Sequence, residues 1–194
     1  MLPLIERIAR ATAIVGGVVL TLLVILTCVS VLGRGLNTLG HSEILTGMAP
    51  GMAKALIASG VAPVTGDFEL VEAGIAFAIF AFLPICQLYG GHATVDVFTS
   101  FLSARKNRMI RTFWEVVLSA IILLITWRLF AGMMDKMRYG ETTFLLQFPV
   151  WWSYAASLVA ALIASVVAIY CAVARVLNLL TGREFLPQSE GAAH

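Results

Sequence analysis

The sequence predicts an all-α integral membrane protein, with four transmembrane helices and short amphipathic helices lying at the membrane interface. Two observations carry this. Hydrophobic residues make up 60% of the chain and charged residues 12%, with a mean hydropathy of +0.93, whereas soluble domains carry about 25% charged residues. The uncharged runs are also long: a helix crosses the hydrocarbon core with about 20 residues, and four runs reach that length. So much apolar surface exceeds what one small aqueous core can hide in 194 residues. It must face lipid or partner helices.

The first span is residues 11–32, 22 uncharged residues between Arg10 and Gly33-Arg34. It exceeds the apolar core of about 7 to 15 residues of a cleaved signal peptide and lacks a small-x-small site behind it, so it reads as an uncleaved span. Ile25-Leu26-Thr27-Cys28 brushes a lipidation box, but Thr27 stands where a Gly or Ala is wanted. The loop from Gly33 to Glu72 is too long for a turn. Within it Ile44, Leu45, Met48, Met52 and Leu56 recur at helical spacing, which predicts a short helix at the outer surface.

The second span, residues 73–91, contains Pro84, which lacks an amide donor and is expected to kink the helix near Gln87. Val95, Phe98, Phe101, Leu102, Met109 and Phe113 then form an apolar stripe beside Arg105, Lys106, Arg108 and Arg111. That pattern predicts a helix lying on the inner leaflet among phospholipid headgroups. The third span, residues 114–134, has an apolar centre, with Glu115 and Arg128 near its ends. The fourth, residues 150–174, lies within the uncharged stretch Phe144–Ala174 and opens on Pro149, Trp151, Trp152 and Tyr154, the aromatics of a membrane interface. Residues 1–184 read as one domain and 185–194 as a flexible cytoplasmic tail.

Eight of the 13 Lys and Arg residues fall at the two termini and in the second loop. The positive-inside rule therefore places both termini in the cytoplasm. The formal charge of +2 and the absence of a basic stripe with stacking aromatics argue against nucleic acid. Cys28, Cys86 and Cys171 lie singly in apolar runs and form no disulfide or metal framework.

Helix four repeats Ala156, Ala160, Ala164, Ala168 and Ala172 at four-residue intervals, and Ala13, Gly17 and Thr21 make a shorter stripe in helix one. In lipid such small stripes permit close helix approach. They serve either as a seam to a partner subunit or as packing within the chain's own bundle. His92 and Asp96 share a helix face but are too few for a metal site, so a polar helix boundary is the commoner role. Asp67, Glu69 and Glu72 gather where helix two begins and suit its positive dipole end. No ionisable residue stands mid-span, where transporters hold theirs, and His41, His92 and His194 lie in loops, at helix ends or in the tail rather than inside a span, where haem would be ligated. No catalytic motif, cofactor site or metal site is expected.

Taken in order, four segments carry a resemblance: Gly66-Asp67-Phe68-Glu69-Leu70-Val71-Glu72 leading into helix two, Gly91-His92-Ala93-Thr94-Val95-Asp96 closing it, the Gly140-Glu141-Thr142-Thr143 turn, and Phe148-Pro149-Val150-Trp151-Trp152 opening helix four. With the four-span plan, the chain resembles the small membrane subunit, the DctQ-like family, of tripartite ATP-independent periplasmic (TRAP) transporters. The resemblance implies a scaffold in the bacterial inner membrane, bracing a large permease subunit that takes up an organic acid with sodium. The sodium and substrate sites would lie in that partner. It also implies a periplasmic substrate-binding protein, for which Glu43, Lys54, Asp67, Asp135, Lys136 and Arg138 are the candidate docking contacts. The resemblance leaves dicarboxylates, sialic acids, other sugar acids and sulfonates all open as cargo. The rival readings are an anchor subunit of a redox complex and a small self-assembling transporter.

Overall fold

The computed structural model describes residues 2–90 and 104–181. Among the described residues six helices follow one another: α1 (Leu2–Gly40), α2 (Glu43–Met48), α3 (Pro50–Ala58), α4 (Asp67–Tyr89), α5 (Ala104–Tyr139) and α6 (Trp151–Thr181). Among them α1, α4, α5 and α6 are long and apolar enough to cross a membrane, so the chain is a multi-pass membrane protein with the four spans its sequence predicts.

The helices outrun the uncharged stretches that mark the spans. At about 1.5 Å per residue, the 39 residues of α1 reach about 58 Å, nearly twice the hydrocarbon thickness. Charged flanks end a span but do not end a helix, and i,i+4 pairs such as Glu6–Arg10 (2.9 Å) support it beyond the membrane. The same holds at α5. Residues 104–113, expected on a separate surface helix, continue without a break into the third span, while 95–102 lie outside the described residues.

The outer-surface helix is instead divided in two. Pro50 crowds the residue before it out of the helical region, and Ala49 accordingly sits at φ −144°, ψ 69°. The Ser42 hydroxyl caps α2 by accepting from the Leu45 amide (3.3 Å), and Pro50 opens α3, where its missing N–H costs nothing. Pro84 is buried within α4, which runs on through it to a glycine cap at Gly90, φ +63°.

The spans lie side by side in the order α1, α4, α6, α5: α4 packs on α1 and α6, α6 packs on α4 and α5, and α1 touches α6 only lightly. Small residues set the spacing. A Cβ on Gly16 would lie 2.8 Å from the Ala81 Cβ, so α1 and α4 meet closely there. Ala164, Ala168 and Ile122 form one core cluster between α6 and α5, with Leu83 of α4 against it. Ala9, Leu88, Val167 and Cys171 form a second, at the end where α1 begins and α6 finishes. We call this end proximal and the opposite one, with α2, α3 and the α5–α6 turn, distal.

Candidate functional site

The residues singled out in the sequence converge most clearly at the distal end, around the first turn of α4. Gly66 precedes that turn with φ +77°, and the Leu146 side chain packs directly over its Cα, in the space a Cβ would occupy. Successive helix residues point about 100° apart, so Asp67 and Glu69 diverge. The Asp67 carboxylate accepts from the Ser30 hydroxyl of α1 and stands 3.9 Å from the Arg34 guanidinium. Ser30 in turn accepts from the Val64 amide at 3.3 Å. Arg34 is exposed, so the hydroxyl carries this junction and the ion pair adds little.

Glu69 reaches the other way. Its two oxygens accept from the backbone amides of Leu145 (2.6 Å) and Leu146 (2.9 Å) in the α5–α6 turn, charge-assisted bonds of the stronger kind. The turn is built to receive them. Gly140 takes φ +62°; Thr143 N–H donates to Phe148 O at 2.9 Å and Val150 N–H to Glu141 O at 3.0 Å. The Thr143 hydroxyl accepts from Phe148 N–H at 3.3 Å, and the Gln147 amide donates to Phe144 O at 2.8 Å. Lys136 pairs with Glu141 at 2.5 Å across the base. One helical turn thus ties α1 to the last loop of the chain.

Among the candidate docking residues, Asp67 and Lys136 are thereby engaged internally, whereas Glu43, Lys54, Asp135 and Arg138 are exposed, as is Glu72. His92 and Asp96 lie outside the described residues. The stripe of helix four divides. Ala160, Ala164 and Ala168 are at most 1% exposed within the chain's own bundle, where Ser119 donates to Ala168 O (3.0 Å) and Thr126 bonds the Ser165 hydroxyl (2.8 Å). Ala156 is exposed and Ala172 half-buried. In α1, Ala13 and Gly17 are half-buried and Thr21 is exposed, its hydroxyl bonded to Gly17 O at 2.8 Å. The close approach falls one residue away, at Gly16.

A second polar cluster, unforeseen from the sequence, lies at the proximal end. The Gln87 amide donates to Glu115 Oε1 at 2.6 Å, and Arg175 Nε stands 3.8 Å from Glu115 Oε2. Glu115 is only 9% exposed, held between α4, α5 and α6. The signal was available in outline, because these three residues sit near the same membrane boundary in their separate spans. Nearby, Tyr89 donates to Glu6 at 2.7 Å.

Chemically, both clusters join helices. No group of three or more His, Cys, Asp or Glu side chains able to hold a metal occurs among the described residues. A cavity of about 150 Å³ between α1 and α3 is lined mainly by Leu36, Leu56, Ile57 and Val61; its histidine, His41, is bonded to Asn37 O at 2.9 Å. Residues 23–180 match the family described as tripartite ATP-independent periplasmic transporters, DctQ component. No curated protein and no solved structure matches the chain.

Proposed function

The chain belongs to the DctQ family and is a small membrane subunit of a TRAP transporter, and we propose that it works there as a non-catalytic scaffold. In this reading it braces the large permease subunit in the bacterial inner membrane and helps dock the periplasmic substrate-binding protein. Uptake of an organic acid with sodium then proceeds in the partner.

One observation carries the scaffold reading. The buried side chains of Gln87, Glu115, Ser119 and Thr126 join helices, while broad apolar faces stay open on the edge helices, with Ile14, Val18 and Leu22 on α1 and Leu124, Trp127 and Phe130 on α5 all exposed. A bundle that binds its own substrate keeps convergent polar groups facing a cavity; a brace keeps apolar surface for its partner and lipid.

The test is affinity purification of the tagged chain from its native membrane in mild detergent, with mass spectrometry of what accompanies it. Recovery of a large polytopic permease in near-equal amount is the expected result. A lone homo-oligomer, or a haem-containing redox subunit, overturns the reading.

A further inference from the structure

On α5 the buried residues Thr112, Glu115, Ser119, Ile122 and Thr126 mark the side turned into the bundle. Successive helix residues turn by about 100°, which carries Arg128 to the opposite side, at the open edge of the layer. It is exposed there, beside the exposed Leu124 and Trp127. Among the described residues no ion pair or hydrogen bond of its side chain is formed.

Its depth follows from the antiparallel neighbour α6. Gly132 stands against the Tyr154 ring, and Thr126 bonds the Ser165 hydroxyl at 2.8 Å and the Ala161 carbonyl at 3.4 Å. Arg128, between these levels, lies about two turns further into the membrane than Trp152, the aromatic of the distal boundary, which is roughly 10 Å at 1.5 Å per residue. Asp135, the next charge along α5, stands about two turns above Arg128 and gives the same depth. A guanidinium held there is costly unless it is paired or reaches the headgroups. Reaching the distal headgroups runs against the helix: side chains lean towards the N-terminus of their own helix, and on α5 that end is proximal, so the Arg128 stem sets out towards the middle of the membrane. A carboxylate alongside removes the cost, because the planar guanidinium donates two parallel bonds to it and gives up its hydration more readily than an ammonium does.

We propose that Arg128 is the polar anchor of the seam between α5 and the large permease subunit, donating to an Asp or Glu carboxylate within a span of that subunit, with Leu124 and Trp127 excluding water around the pair. The inference rests on the scaffold reading and deepens it: the edge helix α5 meets the partner, and the partner brings a buried acid.

Tagged wild-type chain, Arg128→Lys, Arg128→Gln and the distal control Arg138→Gln each replace the chain in its native host and are purified in mild detergent. Permease recovered per tagged chain is expected to fall by roughly tenfold or more for Arg128→Gln, as for a buried pair that loses one member, to fall less for Arg128→Lys, and to stay unchanged for Arg138→Gln. The isolated Arg128→Gln subunit is expected to unfold at the wild-type temperature. A photoreactive benzophenone amino acid in place of Leu124, one turn away on the same face, is expected to crosslink to a permease span that carries Asp or Glu. If the wild type recovers no permease, the scaffold reading falls and this inference with it. Equal recovery with wild type and Arg128→Gln overturns the inference alone. So do a lowered unfolding temperature of the isolated variant, a crosslinked span without an acid, and crosslinking to phospholipid only, which marks an Arg128 that reaches the headgroups.

Discussion

Gly66, Asp67 and Glu69 share one helical turn yet join three different parts of the chain, and single substitutions there have separable effects. Replacing Glu69 by Ala removes both acceptors from the Leu145 and Leu146 amides, whereas Gln retains one; thermal unfolding in detergent should rank the wild type above Glu69→Gln, and Gln above Ala. A ranking that places Gln with Ala would show that charge, and not acceptor count, matters. Gly66→Ala meets two obstacles, a left-handed φ that costs about 1–2 kcal/mol for a residue with a Cβ and the Leu146 side chain in the way. The double variant Gly66→Ala/Leu146→Ala removes only the second, so it should recover part of the lost stability. The acidic cluster at the head of helix two was legible in the sequence, and so was its fit to the dipole. Its real partners were not, because Glu69 bonds to amides 76 and 77 residues away and backbone donors leave no trace in side-chain identity.

At the scale of elements, α6 shows how one spacing rule serves two readings. Four-residue repeats of Ala flatten a helix side without stating what lies against it, and only the three-dimensional order of helices decides. With Ala164 buried against Ile122 and Leu83, Ala164→Phe overpacks the bundle itself and should destabilise it by about 1–3 kcal/mol, measured by denaturant titration of the purified subunit. Ala156→Leu, at an exposed position, should leave that titration unchanged. The existence of the four long helices was readable from uncharged length, and that of the surface segment from its helical spacing. Helix ends were not: α1 and α5 continue past their charged flanks, and the division at Ala49–Pro50 follows from a local clash that periodicity overlooks.

Across the whole molecule the two ends differ in charge. Arg7, Arg10, Arg105, Lys106, Arg108, Arg111 and Arg175 lie towards the proximal end, whereas the distal end mixes Arg34, Lys54, Arg128, Lys136 and Arg138 with six acidic residues. The basic end is expected on the cytoplasmic side, and reporter fusions to the C-terminus should be active only there; a periplasmic signal would invert the topology and with it the docking assignment. Within that assignment, reversing the charges of Glu43, Lys54, Asp135 and Arg138 together should weaken association with the binding protein and spare complex assembly, as read by co-purification. The order of helices has a further consequence for biosynthesis. The last span to leave the ribosome is the one that occupies the interior of the layer, between α4 and α5. Chains are made from the N-terminus at about 5–20 residues per second, so α1 and α4 can pair early while α5 waits in lipid without its neighbour. Until α6 arrives, the Ser119 and Thr126 hydroxyls lack their partners across the seam, and a nascent chain stalled before Trp151 should be a target for membrane quality-control proteases that the completed chain escapes.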